Sequence, residues 1–356
     1  MTLKQEIPQD ESAINGQSEV MPPSLALYRL VTGYYISRAI YVAARLQIAD
    51  LLGQGARDCE HLASATQTHA PSLRRILRLL ASAGVFTEQD DGKFALAPMG
   101  ACLQTNVPGS MHKPTLLFAG LTQDSWRDLL YTVQTGKPAF PRVFGKGPFA
   151  YLAEHPEDAI NFDAAMAALA EKVGIAVQAA YDFSQFKTVV DVGGGNGTLL
   201  AALLKANLQL TAVLFDQPHV INRAQKQMDS LNLKDRCSFA SGDFFERVPE
   251  GGDVYILKHV VHDWNDELSL AILKTCHRSM LPGAKLLLIE SIYPARIQRS
   301  DASLGVASND VNMMVVTGGS ERSEKEFASL YALAGFRLTR IIQTSERPCI
   351  IEGIRE

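Results

Sequence analysis

Thr188-Val189-Val190-Asp191-Val192-Gly193-Gly194-Gly195-Asn196-Gly197-Thr198-Leu199-Leu200-Ala201-Ala202-Leu203-Leu204 decides how this chain is read. A β-branched run, a glycine cluster and a leucine-rich run follow one another, which spells strand, turn, helix. Glycines are needed where backbone bends sharply and a ligand must approach without a Cβ in the way. Nineteen residues past Gly197, the apolar run Ala212-Val213-Leu214-Phe215 ends in Asp216. A carboxylate at that strand end can accept hydrogen bonds from both ribose hydroxyls of a nucleoside cofactor.

A dinucleotide fingerprint spaces its glycines G-x-G-x-x-G/A, but Thr198 stands where the last one belongs. With Asp191 just ahead of the glycines, no pyrophosphate is implied. The arrangement suits S-adenosylmethionine, whose amino-acid half needs close approach and whose ribose needs an acid. Further on, Ser241-Gly242-Asp243-Phe244-Phe245 closes a third strand with an acid placed to meet an adenine amino group and aromatics to cover the ring. The segment Leu257-Lys258-His259-Val260-Val261-His262-Asp263-Trp264 follows, then Leu287-Leu288-Ile289-Glu290 and Gly318-Gly319-Ser320-Glu321-Arg322. In this order and spacing the chain resembles the S-adenosylmethionine-dependent O-methyltransferases of the caffeate and hydroxyindole type, including their bacterial natural-product relatives, over roughly residues 25 to 353.

The resemblance implies a class I methyltransferase: a Rossmann-like, mostly parallel seven-stranded sheet behind an α-helical winged-helix dimerisation domain. It implies cofactor contacts at Asp191, Gly193, Gly195, Asp216, Gln217, Gly242, Asp243, Phe244 and Lys258, with S-adenosylhomocysteine as product. It places Trp126, Phe162, Met166, Asp263, Asn312 and Met313 beside the acceptor, with Asp310 in the same segment. Asn312 and the Val315-Val316 stretch depart from the plant members, so the expected acceptor is a small aromatic of the bacterial type rather than caffeate.

With 356 residues, 47% of them hydrophobic, the chain has material for two sizeable cores. Strands are expected near 188–192, 211–216, 236–241, 253–258, 284–290, 336–343 and 347–353, with helices between them. Continuous apolar strands in such alternation mean a sheet covered on both faces. The domains expected are a disordered tail over 1–22, a winged-helix-like dimerisation domain over 23–107, a helical connector over 108–180 and a catalytic domain over 181–356. A long helix over Leu25 to Leu52 carries Leu27, Leu30, Val31, Tyr34, Tyr35, Ile40, Val42, Ala43 and Leu46 on more than one face. Burying them needs a surface beyond the small domain, which agrees with the homodimer implied by the resemblance. Trp126, Leu129, Leu130 and Val133 stand at helical spacing and read as core, with Trp126 also near the substrate by resemblance.

Residues 23 to 107 hold eight Lys/Arg against six Asp/Glu, an excess too thin for a phosphate-binding surface despite Arg74, Arg75 and Arg78. The net charge of −4 likewise argues against nucleic acid. No apolar run reaches 18 residues and the first sixteen residues lack a signal-type core, so neither membrane nor secretion is expected. The odd set Cys59, Cys102, Cys237, Cys276 and Cys349, without a C-x-x-C pair, reads as buried reduced thiols of a cytoplasmic protein.

His262 is the candidate base, positioned at the end of the fourth strand. His259, three residues earlier, could suggest metal ligands, but no third ligand stands at a recognisable spacing, so no metal is expected. A neutral imidazole needs a partner to fix its tautomer. Glu290, ending an apolar strand, and Glu321, after the double glycine, match the family's glutamates that flank this histidine. Asp263 reads as a helix cap or hinge as well as a substrate neighbour. Other functions left open are a relative that methylates nitrogen or does not methylate, a nicotinamide dehydrogenase and a DNA-binding regulator.

Overall fold

The computed structural model describes residues 21–356. The expected tail over 1–22 therefore lies outside the described residues, except for its last two.

The Pro23–Arg45 helix buries only Ala39, Ala43 and Ala44. It stops before Gln47, whose left-handed φ of 52° turns the chain into a second short helix, Ile48–Leu52. One unbroken helix over Leu25 to Leu52 is thus corrected to two. Nor does the chain itself bury the apolar face: Leu27, Val31, Tyr34, Tyr35 and Val42 are exposed, and Leu30 is 80% exposed. Behind this helix, Cys59–Thr66 is capped by Asp58, whose side chain accepts from the His61 N–H. Leu73, Leu77 and Leu80 of the amphipathic Ala70–Ser82 helix fill the small core. Strands β1 (Phe86–Glu88) and β2 (Phe94–Leu96) pair antiparallel and complete the winged-helix pattern. Arg74 is paired with Glu60 and Arg78 with Glu88.

The connecting region is helical but broken into short pieces, including Gln123–Trp126 and Leu129–Thr135, before the long Pro156–Ala180 helix. The expected core stripe through Trp126 and Val133 does not form, because the break at Arg127–Asp128 turns the second piece outward. Leu130 and Val133 are 68% and 67% exposed.

Seven further strands follow: β3 (Thr188–Val192), β4 (Thr211–Asp216), β5 (Cys237–Ser241), β6 (Val254–Lys258), β7 (Lys285–Glu290), β8 (Phe336–Ile342) and β9 (Cys349–Arg355). They form one sheet in the order β5-β4-β3-β6-β7-β9-β8. The first five are parallel, and β9 pairs antiparallel with both β7 and β8. Successive side chains enter opposite cores: Val189 packs with Leu199 and Val177, Val190 with Ile272 and Phe327. Carboxyl ends of β3 to β7 thereby share one edge, where ligands of such sheets sit.

All five cysteines are free; Cys102 is exposed at the end of the short Pro98–Ala101 helix, against the expectation that every thiol is buried. Among the described residues no helix is long and apolar enough to cross a membrane. At the far end of the sheet, Glu352 of β9 accepts from Tyr181, Thr339, Arg340 and Lys285. That cluster ties the end of the connector to β7 and the antiparallel pair.

Two outcomes follow from these contacts. Replacing Leu30 and Tyr34 together by Glu should leave the chain folded and bring its light-scattering mass down to the single-chain 38.8 kDa. A second copy seated on the uncovered face gives a wild-type mass of twice that value, and a wild-type monomer would remove the dimer. Burial alone would raise the Glu352 carboxyl, but its donors bring it down to about 2. The stability it adds is fully present above an unfolded glutamate's pKa near 4.3 and lost as pH falls toward 2. Glu352→Gln should cost about 3 kcal/mol in urea denaturation at pH 7, and the two proteins should converge near pH 2.

Candidate active site

The site is built where strands stop. Gly193, at φ 73°, turns the chain out of β3, and a Cβ there would lie 2.9 Å from Cγ2 of Val260. The glycine loop is therefore packed against the turn that carries His262. Gly193 and Gly195 are held by neighbouring β4: the Gly193 N–H donates to the Phe215 carbonyl at 2.8 Å and the Gly195 N–H to Oδ2 of Asp216 at 2.9 Å. Oδ1 of Asp216 accepts from the Gln217 N–H at 2.7 Å. Burial raises the Asp216 carboxyl, and the Gln217 and Gly195 N–H groups oppose that. The Gly242 N–H donates to the Asp216 carbonyl, bringing Asp243 and Phe244 to the same edge. Asp243 is exposed, and its Oδ1 accepts from the Phe245 N–H at 2.9 Å. Phe244 and Phe245 both meet Trp264 edge to face.

Asp191 is the odd member of this edge. It is 1% exposed, and neither carboxylate oxygen has a hydrogen-bond partner among the described residues. Burial raises it to about 7, with Lys258 pulling the other way. Burial in turn lowers Lys258, which Asp191, Glu290 and Asp263 counteract. A buried, unpartnered acid beside a glycine loop repels phosphate and suits a cation.

The turn that carries His262 begins at His259, a non-glycine residue at φ 53° whose backbone is costly by about 1–2 kcal/mol. This conformation turns three successive N–H groups inward. Those of Val260, Val261 and His262 all point at Oε1 of Glu290, at 3.1, 2.9 and 3.4 Å. Such a nest is the partner that a wholly buried carboxylate at the end of β7 requires. Nδ1 of His262 lies 3.3 Å from the other Glu290 oxygen and 3.2 Å from Oε1 of Glu321. One nitrogen of the ring and one oxygen of each carboxylate lie within 4.8 Å of one another, and the 3.2 Å contact with Glu321 is a hydrogen bond. Burial would lower the His262 imidazole, but Glu290, Glu321 and Asp263 raise it to about 10. Burial raises Glu290 to about 7 and Asp263 to about 6. His259, stacked on His262 with ring centroids 5.3 Å apart, is pushed well below its ordinary value by burial and by Lys258.

Asp263 does not cap the following helix. That role belongs to Asn265, whose side chain accepts from the Leu268 N–H, because Asp263 is still inside the short Val261–Asp263 turn. Its Oδ1 lies 3.9 Å from Nε2 of His262 instead.

Among the residues expected beside an acceptor, the Trp126 indole N–H donates to Oδ1 of Asn312 at 2.9 Å, joining two residues 186 positions apart. Met313 is buried in the Asp301–Val316 helix, and its carbonyl accepts from Thr317 and Gly318 at the helix end. Phe162 and Met166 are half-buried on the Pro156–Ala180 helix, where Asp163 pairs with Arg223. The Asp310 side chain accepts from the Glu321 N–H.

Several residues of the site escaped the sequence reading. Arg322 is 1% exposed and grips the carbonyls of Val261 and Trp264, on either side of His262 and Asp263, at 3.0 and 2.7 Å. It also binds Ser269 and Asp266. Asn309 donates to the Glu321 oxygen that faces His262, at 2.5 Å, and Phe149 stacks on Trp264. Arg322 stood in the quoted glycine-glutamate-arginine segment, so its signal was present without its target. Nothing in the spacing marks Asn309 or Phe149.

A family model described as the O-methyltransferase domain matches residues 126–337, and one described as the O-methyltransferase dimerisation domain matches residues 28–106. The chain is 41% identical to the phenazine O-methyltransferase PhzM of Lysobacter antibioticus over 339 residues, 95% of this chain and 98% of that protein. It is 34% identical to the 8-amino-8-demethylriboflavin N,N-dimethyltransferase of Streptomyces davaonensis, covering 92% and 94% of the two chains. Among solved structures, the O-methyltransferase NcsB1 from neocarzinostatin biosynthesis, in complex with S-adenosylmethionine and 2-hydroxy-5-methyl naphthoic acid, superposes with a TM-score of 0.79 at 31% identity. That match covers 90% of this chain and 96% of that one.

A Cβ on Gly319 would lie 2.0 Å from the His262 carbonyl oxygen, a backbone atom that cannot swing aside. Gly319→Ala should therefore displace the His262 turn and cut turnover far more than it lowers the melting temperature. Arg322→Ala should cost roughly 1–3 kcal/mol of stability through the carbonyls left unpaired. Thermal melts beside turnover measurements check both, and a fully active Gly319→Ala would show that the turn tolerates the shift.

Proposed function

The chain belongs to the O-methyltransferase family, and we propose that it methylates a hydroxyl of a small aromatic natural product, with His262 as general base and Glu290 and Glu321 orienting it. One observation carries this reading: Nδ1 of His262 is taken up between Glu290 and Glu321, so the working face of the ring is Nε2. The cofactor is S-adenosylmethionine, which when bound supplies a methyl group on a positively charged sulfur with a neutral thioether as leaving group. Asp191 offers the buried carboxylate that a cationic ligand satisfies. Asp216 with Gln217 would hold the ribose, Asp243 and Phe244 the adenine, and Lys258 balances the acids around it. Trp126, Phe162, Met166, Asp263, Asn312 and Met313 would border the acceptor. The enzyme works as a homodimer through the face of the Pro23–Arg45 helix, with domain limits near residues 107 and 180.

The work left to the protein is making and placing a nucleophile. Full proton transfer from a phenol near pKa 10 to an imidazole near 6.5 costs roughly 4.8 kcal/mol at 1.36 kcal/mol per unit. Carboxylates beside His262 reduce that cost by favouring the imidazolium. Holding oxygen and methyl carbon in line supplies the rest. Transfer to an aromatic amine is the second reading, supported by the similarity to the N,N-dimethyltransferase.

Single-turnover methylation of a panel of hydroxyaromatics and aminoaromatics, read by product mass, tests the reading. His262→Gln should lower the rate at saturating cofactor by roughly 10²–10⁴. Raising pH should partly restore the variant on phenols, since a phenolate formed in solution needs no base. Equal rates and pH profiles for wild type and variant would strip His262 of its role.

A further inference from the structure

We propose that His262 rests as an imidazolium held by three carboxylates and becomes a base only when a sulfonium cofactor binds beside it. The inference rests on the cofactor and base assigned above. Its ground is the charge arrangement. Two carboxylates from different elements, Glu290 at the end of β7 and Glu321 ahead of the Glu324–Ala334 helix, face the same ring nitrogen at 3.3 and 3.2 Å. Asp263 faces the opposite nitrogen at 3.9 Å. Both glutamate side chains are wholly inaccessible, and each keeps one oxygen, Oε2, without a hydrogen-bond partner. Cations nearby are few: Lys258 at the end of β6, itself buried with Asp191, and Arg322, committed to Asp266 and to main-chain carbonyls. His259 adds a neutral ring, and from the Asp301–Val316 helix come the Asn309 amide and Asp310, which accepts from the Glu321 N–H. An imidazole in such surroundings keeps its proton at neutral pH, in agreement with the rise of His262 to about 10. An imidazolium cannot accept a proton from an acceptor hydroxyl.

The glycine loop touches the base turn, since a Cβ on Gly193 would meet Val260 two residues before His262. Methyl transfer to an oxygen held at His262 also demands a sulfonium close to the ring. A unit positive charge at roughly 6 Å, in a medium of effective dielectric constant about 20, lowers the ring's proton affinity about 100-fold. From about 10, a 100-fold fall leaves His262 mostly neutral and free to act above about pH 8. In the reaction the acceptor O–H proton passes to Nε2 while the new O–CH₃ bond forms. The S–CH₃ bond breaks with its electron pair going to sulfur, so the sulfur becomes neutral and His262 returns to the imidazolium. The proton taken from the acceptor therefore leaves only when the next cofactor arrives. This orders the cycle: cofactor before acceptor.

Isothermal titration of the dimer near pH 8.5, in buffers of different ionisation enthalpy, counts protons released on binding. S-adenosylmethionine should release about 0.5–1 proton per site and S-adenosylhomocysteine, with its neutral sulfur, almost none. The difference should vanish in His262→Gln and shrink in Glu321→Gln, which removes one of the carboxylates. Equal release for the two ligands, release for neither, or a difference that survives in His262→Gln overturns the inference while the functional reading stands. Failure of both ligands to bind overturns the functional reading and this inference with it.

Discussion

Glu290 ends an apolar strand in the centre of the molecule with no access to water, and a carboxylate so placed must be surrounded by donors or lose its charge. Much of the site follows from meeting that requirement. The chain leaving β6 adopts a left-handed residue at His259, which bends three N–H groups onto one Glu290 oxygen and delivers the His262 ring to the other. Arg322 then locks the turn by its carbonyls, and Gly319 lets the opposing backbone approach where no side chain fits. The turn is thus held by electrostatic satisfaction as well as by the burial of Val260 and Val261.

The cofactor edge follows a complementary rule. Parallel strands bring Asp191, Asp216 and Lys258 to one side of the sheet, and the acids there outnumber the cations. A phosphate-rich ligand is disfavoured by the same unpartnered Asp191 that favours a cation. The charge of this edge also reaches the base turn through direct packing of the glycine loop on Val260. Under the roles proposed above, the two sites form one electrostatic unit.

The N-terminal region serves a different end. Its own core is small and closed by Leu73, Leu77 and Leu80, and the Pro23–Arg45 helix leaves its larger apolar face outward. Two of the three arginines on its basic helix face are paired with acids: Arg74 with Glu60 and Arg78 with Glu88. A winged-helix outline thus survives here as a platform for association.

The sequence by itself determined the strand–glycine–helix order, the seven strands nearly to the residue, the mostly parallel sheet and the acids at its carboxyl edge. These are local properties, written in periodicity and in the few residues that can make a turn. It also singled out His262, Glu290 and Glu321, but through their resemblance to a family rather than through spacing. What only the tertiary structure decided lies between distant segments. His262 meets partners 28 and 59 positions away, and Trp126 meets Asn312 across 186. Arg322 became a clamp and Asn265, not Asp263, became a cap because each could be judged only against the backbone groups facing it. Burial was the least legible property: the stripe at Leu130 and Val133 and the thiol of Cys102 turned out exposed. Periodicity fixes which residues share a face, whereas the neighbours supplied by the rest of the chain decide whether that face is covered.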